Sequence, residues 1–382
     1  MSIKIAGRMD AFPEYIFSRL AKVVAETEKT TGRRVLSFGA GSPDIVPSGM
    51  YLSELQKYVR ESDAHLYPGY RGIPEFDSAL IDWYKRRFSV ELTRENVLPL
   101  LGAKDGLAHI PLALADVGDE VLVPDPGYPG FAGPSLLYGL TVVPYSLRQE
   151  SGFLPDITEL EELVTPRTRY MWLNFPSNPT GAALTLDELR PFVEFAKRHA
   201  IIILYDNAYS EITFDGFVAP SILQIPGSEE VALEIGSFSK TYSFAGYRMG
   251  WVAGNADIVS ALQKVKSQTD SGMSLPLQRL GAFALTHKDD AWHSAMIESY
   301  KGRRDTIAAK LKKLGLIFEI PRGSLYLWAK IPDSAANAED FCMQLLREKQ
   351  VLLTPGSAYG KNGERYVRAS VCVNTDRIDE YL

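Results

Sequence analysis

The spacing of apolar residues along the chain predicts its helices. In residues 12–31, apolar side chains recur at intervals of three and four, and Gly32 follows as a stop signal. Comparable patterns predict further helices at residues 48–61, 74–88, 104–115, 186–199, 288–314 and 337–349. Short runs of apolar residues separate most of these predicted helices.

Those short runs are apolar and predict strands. They occupy residues 35–38, 98–101, 120–124, 170–174, 201–205, 233–236 and 248–254. Up to about residue 255 strands and helices alternate, which is typical of a mostly parallel central sheet with helices on both faces. The predicted fold class is therefore α/β.

The C-terminal part of the chain breaks this alternation. Strands are expected at residues 316–320, 325–330, 351–353 and 365–371, beside the helices at 288–314 and 337–349. This mixture predicts a smaller α+β domain. A last helix is expected to begin near Asp379 and to be short or truncated.

Composition excludes several classes of protein. The 382 residues include 41 Lys and Arg against 47 Asp and Glu, a formal charge of −6, whereas nucleic-acid binders usually carry a basic face. The longest apolar runs are far short of the roughly 20 residues of a transmembrane helix. The first residues lack the apolar segment of a secretory signal. We therefore expect no nucleic-acid partner and no membrane insertion.

Cysteine and histidine usage points to a reducing compartment and away from metal binding. The chain has two cysteines, Cys342 and Cys372, which are too few for a disulfide framework. Its five histidines show no metal-ligand spacing. We expect a cytoplasmic protein without a metal site.

Polar residues that follow predicted strands mark the candidate site. In a doubly wound sheet the carboxyl ends of the strands form the ligand crevice, so side chains from distant parts of the sequence meet there. The residues in question are Tyr128, Asn178, Asp206, Tyr209, Ser237, Ser239 and Lys240. We expect them to converge on one crevice.

These residue types suggest a particular chemistry. A lysine such as Lys240 can form a Schiff base with a carbonyl compound. Hydroxyl groups, the Arg248 guanidinium and the helix start at residues 102–104 can bind a phosphate. Asp206 can keep a pyridine nitrogen protonated, while Tyr128 can stack on a flat ring and Arg368 can grip a carboxylate.

Longer motifs carry a family resemblance. Residues 237–250 (SFSKTYSFAGYRMG) resemble the cofactor-lysine signature of the class I/II aminotransferases, which are pyridoxal-phosphate enzymes of fold type I. Further matches in the same order are RMDAFP at 8–13, PDPGYP at 124–129, NPTG at 178–181 and DNAY at 206–209. The resemblance covers essentially the whole chain and implies the cofactor pyridoxal 5′-phosphate.

The most similar branch is that of the bacterial LL-diaminopimelate aminotransferases. The phrases LGAKDG at 101–106 and KVKSQTDSG at 264–272 indicate it. The chain departs from this branch at residues 68–72 (PGYRG), where the branch carries a Glu-Gln pair after the tyrosine equivalent to Tyr67. This departure bears on how the distal end of a substrate is recognised.

The resemblance implies a role for each position. Lys240 would bind the cofactor covalently and move the Cα proton, and Asp206 would pair with the ring nitrogen. Tyr209 and Asn178 would contact the phenolic oxygen, and Arg368, Asn178 and the N–H of Gly41 the substrate carboxylate. The ring would stack on Tyr128. The residues expected at the cofactor phosphate are Ala103, Lys104, Ser237, Ser239, Arg248 and, from the neighbouring subunit of a homodimer, Tyr67.

The family fold also implies a division of the chain. Residues 1–45 would form an N-terminal arm and part of a small domain, 46–285 the large cofactor-binding domain, and 286–382 the remainder of the small domain. The expected reaction is a ping-pong amino transfer from an L-amino acid to a 2-oxo acid, with 2-oxoglutarate the expected acceptor. LL-diaminopimelate, aspartate, alanine and aromatic amino acids are candidate donors.

Parts of this pattern also fit other functions. The same constellation can support β-elimination by a C–S lyase, because both reactions pass through a Cα carbanion. A non-catalytic regulator of the same fold is disfavoured by the presence of Lys240 and by the absence of an added DNA-binding segment. Ser237 and Lys240 also match the S-x-x-K motif of penicillin-recognising enzymes, but the other motifs of that class are out of order or missing.

Overall fold

The computed structural model describes residues 3–12 and 16–382. Residues 13–15 of the predicted first helix, and Pro13 of the motif at 8–13, lie outside the described residues. The helices are α1 (Ile16–Thr31), α2 (Gly49–Tyr58), α3 (Pro74–Phe88), α4 (Ala103–Leu114), α5 (Ala132–Leu137), α6 (Ile157–Leu163), α7 (Leu186–His199), α8 (Ser228–Val231), α9 (Phe238–Thr241), α10 (Ala256–Thr269), α11 (Leu275–Thr286), α12 (Asp290–Lys313) and α13 (Ala338–Lys349).

The strands form one large sheet and two small ones. They are β1 (Leu36–Ser37), β2 (Val97–Leu100), β3 (Glu120–Asp125), β4 (Thr141–Ser146), β5 (Thr168–Asn174), β6 (Ile202–Asp206), β7 (Ala232–Ser237), β8 (Gly250–Gly254), β9 (Tyr326–Lys330), β10 (Val351–Leu352), β11 (Thr354–Pro355) and β12 (Tyr366–Ser370). The large sheet has the strand order β2-β8-β7-β6-β5-β3-β4.

The large sheet is mostly parallel, as the sequence pattern predicts. Only β8 runs antiparallel to its two neighbours, β2 and β7. In β5 successive side chains point to opposite faces: Trp172 joins a core with α4 and α10, while Leu173 joins a core with α7. Both faces are therefore covered by helices, and the prediction of the fold class is confirmed.

The two small sheets lie outside this alternation. β1 pairs with β10 in parallel, which brings the N-terminal and C-terminal parts of the chain together. β11, β12 and β9 form an antiparallel sheet, in which Arg368 of β12 lies opposite Trp328 of β9. One hydrophobic core joins this sheet to α12 and α13 and to Phe38 beyond β1.

One predicted strand is wrong. Residues 316–320 form only an isolated bridge between Ile317 and Lys330. Ile317 and Ile320 are 61% and 40% exposed. The apolar run at residues 316–320 is therefore not a buried strand.

The sequence pattern does not predict several elements of the structure. β4 is an edge strand with a proline, Pro144, and is mostly exposed or half-buried, so its apolar signal is weak. The pattern also did not predict α5, α6, α8, α9, α10 and α11. The last helix expected near Asp379 is a single 3₁₀ turn at Ile378–Glu380. Within the described residues, the structure contains no helix with both the length and the apolar character needed to cross a membrane.

Candidate active site

A cavity of about 420 Å³ lies where the carboxyl ends of β5, β6 and β7 face the small antiparallel sheet. All the site residues expected from the sequence line it except Tyr67. They are Gly41, Ala103, Lys104, Tyr128, Asn178, Asp206, Tyr209, Ser237, Ser239, Lys240, Arg248 and Arg368. The parallel topology thus brings together side chains that are up to 327 positions apart (368 − 41).

Lys240 lies in α9, the short helix that directly follows β7. Ser237 caps this helix, since its hydroxyl accepts a hydrogen bond from the N–H of Ser239 at 3.1 Å. The Lys240 Nζ donates to the backbone oxygen of Gly41 at 2.7 Å and lies 5.8 Å from the centre of the Tyr209 ring. A lysine amine is therefore held at the cavity wall by a neutral acceptor.

Asp206 ends β6 and is 7% exposed. Its Oδ1 accepts a hydrogen bond from the N–H of Ala208 at 3.2 Å. Burial raises the pKa of Asp206 to about 6, against the opposing effects of that hydrogen bond and of the Lys240 charge. A carboxylate buried in this way is stabilised by a cationic partner, and a protonated ring nitrogen in the cavity would supply one.

The turn before α4 forms an anion site. Gly102, the N-cap of α4, has φ of +82°, and the first two residues of α4, Ala103 and Lys104, line the cavity. A helix N-terminus at this place favours an anion. The guanidinium of Arg248 packs against this turn, because a Cβ on Gly102 would lie 2.6 Å from its Nη2. Ser237 and Ser239 line the same cavity, and their hydroxyl groups with the guanidinium and the helix start suit a phosphate.

Arg368 is only 2% exposed, yet its charge is not paired with a carboxylate in the described part of the chain. Its Nη1 donates to Asn178 Oδ1 at 2.8 Å and its Nη2 to the Gly39 oxygen at 2.6 Å. The ring of Tyr326 lies under the guanidinium, with 4.1 Å from Cζ to the ring centre. A buried cation held by neutral oxygens at a cavity wall is suited to an incoming carboxylate.

Asn174 and Tyr326 are among the cavity-lining residues that the sequence did not predict as part of the site. Asn174 ends β5; its Oδ1 accepts from the N–H of Asn178 at 2.8 Å, and its Nδ2 donates to the backbone oxygen of Asp206 at 2.9 Å. As a polar residue at the end of a predicted strand, Asn174 carried the same signal as Asp206. Tyr326 carried none, because a tyrosine is an ordinary residue within a strand.

Tyr67 does not reach the cavity of its own chain and is 86% exposed. Leu66 and Tyr70, close to it in sequence, are also exposed. Its expected contact with the phosphate requires a neighbouring subunit and stays a prediction.

One group of potential metal ligands occurs among the described residues, formed by Asp105, His109 and Asp270. The Lys266 Nζ lies between its two carboxylates, 2.5 Å from Asp105 Oδ2 and 2.7 Å from Asp270 Oδ2. The ammonium group therefore provides the positive charge that a cation would bring to this group.

The fold and the cavity together define a class of enzyme. A lysine after the strand end, a buried aspartate, an anion site at a helix N-terminus and an aromatic wall fit the amine-reactive, pyridine and phosphate parts of pyridoxal 5′-phosphate. The protein is of the pyridoxal-phosphate-dependent type.

Comparison with known proteins identifies the family. The chain belongs to the aminotransferases of class I and II, whose pattern matches residues 34–382. It is 39% identical to an LL-diaminopimelate aminotransferase from Desulforudis audaxviator over 100% of this chain and 97% of that protein. The protein is a pyridoxal-phosphate-dependent aminotransferase.

Solved structures agree with this assignment. The apo structure of BacF from Bacillus subtilis superimposes with a TM-score of 0.94 at 32% identity, covering 100% of this chain and 97% of that one. The aspartate aminotransferase from Rhizobium meliloti gives a TM-score of 0.93 at 27% identity, with the same coverage. These similarities confirm fold type I.

Proposed function

We propose that this aminotransferase moves the α-amino group of LL-diaminopimelate to 2-oxoglutarate. The observation that carries the proposal is the position of Arg368, a buried cation that faces the same cavity as Lys240. A donor and an acceptor that share an α-carboxylate can then use one site in turn, as a ping-pong reaction requires. The donor is suggested by the name of the relative at 39% identity.

When bound, pyridoxal 5′-phosphate supplies an electron sink that stabilises negative charge at the substrate Cα. In our proposal Arg368 and Asn178 orient the substrate carboxylate, with the N–H of Gly41 as a further donor. The Lys240 Nζ binds the cofactor at rest and, once released, removes the Cα proton and returns it.

The remaining cavity residues act on the cofactor in this proposal. Asp206 keeps the proton on the ring nitrogen, and Tyr209 and Asn178 donate to the phenolic oxygen. Tyr128 stacks on the ring. The phosphate is held by Ala103, Lys104, Ser237, Ser239 and Arg248.

A second donor, aspartate, is favoured by one feature of the sequence. Residues 68–72 lack the Glu-Gln pair expected for recognition of the distal end of diaminopimelate. The structural relative from Rhizobium meliloti is named an aspartate aminotransferase.

We also propose that the protein is a cytoplasmic homodimer in which Tyr67 completes the neighbouring site. The exposure of Tyr67, Leu66 and Tyr70 supports a partner surface there, and the free thiols Cys342 and Cys372 are compatible with a reducing compartment. The proposed domain division at residues 1–45, 46–285 and 286–382 is supported by β1, which pairs with β10.

A half-reaction screen tests the donor. The purified protein loaded with pyridoxal phosphate is mixed with LL-diaminopimelate, aspartate, alanine or an aromatic amino acid, and the visible absorption band is followed. We expect the fastest loss of the band with LL-diaminopimelate. A faster loss with aspartate would replace the donor, and pyruvate release from a sulfur amino acid without 2-oxoglutarate would indicate β-elimination instead.

Matched arginine variants test the carboxylate site. Arg368→Lys removes the two-pronged donor and is expected to raise KM for 2-oxoglutarate by roughly tenfold or more. Arg365→Lys is the control, because Arg365 contacts backbone oxygens of residues 332–336 and does not line the cavity. Equal KM values for the two variants would contradict the assignment of Arg368.

A further inference from the structure

Tyr326 occupies a central position in the cavity wall. It begins β9, is 3% exposed, and its hydroxyl lies 3.0 Å from the hydroxyl of Tyr209. A Cβ on Gly41 would overlap the Tyr326 hydroxyl, so the backbone that accepts from Lys240 rests against this side chain. Tyr326 thus connects the small antiparallel sheet to Gly41 and to Tyr209, which follows β6 of the large sheet.

The hydroxyls of Tyr326 and Tyr209 are hydrogen-bonded to each other, and either oxygen can be the donor. Burial raises the pKa of Tyr209 well above its ordinary range, so Tyr209 stays a hydroxyl. When Tyr326 donates to Tyr209, the Tyr209 proton is directed to an acceptor in the cavity. A hydroxyl that accepts one hydrogen bond also donates a stronger one.

The contact with Arg368 involves the ring of Tyr326 rather than its hydroxyl. The guanidinium lies over the ring face at 4.1 Å, a distance at which a cation and an aromatic ring attract each other. The charged groups around the tyrosine pair are Arg368 itself, Asp206 and Lys240. One side chain therefore contacts both the carboxylate-binding group and the group assigned to the phenolic oxygen.

We propose that Tyr326 is a positioning residue for amino transfer, whose hydroxyl orients Tyr209 toward the phenolic oxygen of the cofactor and whose ring holds Arg368 in place. The inference rests on the proposed roles of Tyr209 and Arg368. It assigns the two parts of one side chain to different steps: the hydroxyl acts on the chemistry and the ring on substrate binding.

The variant Tyr326→Phe tests the hydroxyl. Without the Tyr326 hydroxyl, Tyr209 donates a weaker hydrogen bond to the phenolic oxygen of the cofactor. That oxygen is then a better acceptor for the proton on the nitrogen that joins Lys240 to the cofactor, so the pKa of this nitrogen rises. We expect the pH midpoint of the visible band of the loaded protein to rise by about half a unit. We expect kcat to fall by roughly threefold to tenfold, with KM for 2-oxoglutarate changed by less than about twofold.

Tyr366→Phe is the matched control. Tyr366 lies on the same face of the same sheet, but its hydroxyl bonds to Gln149 at 3.0 Å and does not line the cavity. We expect its midpoint and kcat to equal those of the wild type. A midpoint that is unchanged or lower in Tyr326→Phe would overturn the proposal.

The variant Tyr326→Leu tests the ring. Loss of the ring face is expected to raise KM for 2-oxoglutarate by roughly fivefold or more beyond the value for Tyr326→Phe, and an equal KM would refute this part. A thermal unfolding curve for each variant verifies that it is folded. The pH midpoint of the visible band is measured without an amino acid substrate. Its interpretation therefore does not depend on whether LL-diaminopimelate is the donor.

Discussion

At the scale of single residues, Asp206 shows how a site residue affects stability. Its pKa rises from an ordinary 3.8 to about 6 in the folded, cofactor-free protein, so the folded state holds this proton more tightly than the unfolded state. The free energy of unfolding therefore decreases as the pH rises through the interval between these two values. Above it, the ionised and buried carboxylate costs about 3 kcal/mol, from 1.36 kcal/mol per pKa unit.

The first prediction concerns the variant Asp206→Asn without cofactor. We expect it to unfold with a free energy about 1–3 kcal/mol higher than the wild type at pH 7, because a buried charge is removed. The gain should be smaller at pH 4.5, where the folded wild type is protonated. Urea titrations at both pH values measure this.

Asp333→Asn serves as the control, since the Asp333 side chain is 95% exposed. Its stability should match that of the wild type at both pH values. A loss of stability at pH 7 in Asp206→Asn would contradict the argument from burial. With cofactor added, the same variant should lose most of its turnover because the ring nitrogen lacks its partner.

The second prediction concerns Lys240→Ala. Reduction with borohydride should attach the cofactor to the wild type at Lys240 and leave this variant unlabelled, as peptide mass analysis would show. Turnover should fall by roughly 10²-fold or more, because the proton carrier is lost. Lys264→Ala, which changes an exposed lysine of α10, should label and react like the wild type. A labelled Lys240→Ala protein would refute the covalent role.

At the scale of elements, the start of α4 depends on a glycine. Gly102→Ala places a Cβ at positive φ and 2.6 Å from Arg248 Nη2, so both the turn and the guanidinium must move. We expect the affinity for pyridoxal phosphate to fall by roughly tenfold or more, measured by fluorescence titration. Gly133→Ala in α5 is the control, because a Cβ there meets no atom within 4 Å. Equal affinities would contradict the anion site.

Lys266 in α10 connects the turn before α4 to the C-terminal end of α10. Asp105 Oδ2 accepts from the N–H of Leu101 at 2.8 Å as well as from Lys266, and Asp270 holds the other side of the ammonium. Lys266→Met leaves two carboxylates facing each other in a buried place, which we expect to cost about 3–5 kcal/mol.

Urea unfolding measures that loss, and a double variant tests its cause. Lys266→Met combined with Asp270→Asn removes one of the two like charges and should recover part of the stability. No recovery would show that the loss arises from packing and not from charge. Lys264→Met provides the surface control in the same helix.

At the scale of the whole molecule, two inactive variants can restore activity to each other only if two chains share a site, as in the proposed dimer. Lys240→Ala and Tyr67→Ala chains are mixed after mild dissociation and reassociated. If Tyr67 serves the neighbouring site, each mixed dimer has one site with both native residues. Activity should recover to roughly a quarter of the wild type, from random pairing of the two chains. No recovery above the separate variants would contradict the shared site.

The sequence by itself determined the alternation of strands and helices and the residues at the strand ends. Asp206, Ser237 and Lys240 were recognisable because a parallel sheet places every strand end at one edge, so chain order alone predicts their convergence. Apolar runs failed where they were exposed, as at residues 316–320, and where an edge strand was only partly apolar, as in β4.

Only the tertiary structure decided what faces those strand ends. Tyr326 enters the site because the small antiparallel sheet packs across the cavity, and its place in β9 carries no sign of this. The burial of Arg368 and its bond to Asn178, 190 positions away, depend on the same packing. The physical reason is that local patterns record which face of an element is apolar, whereas contacts between two packed sheets depend on their relative placement.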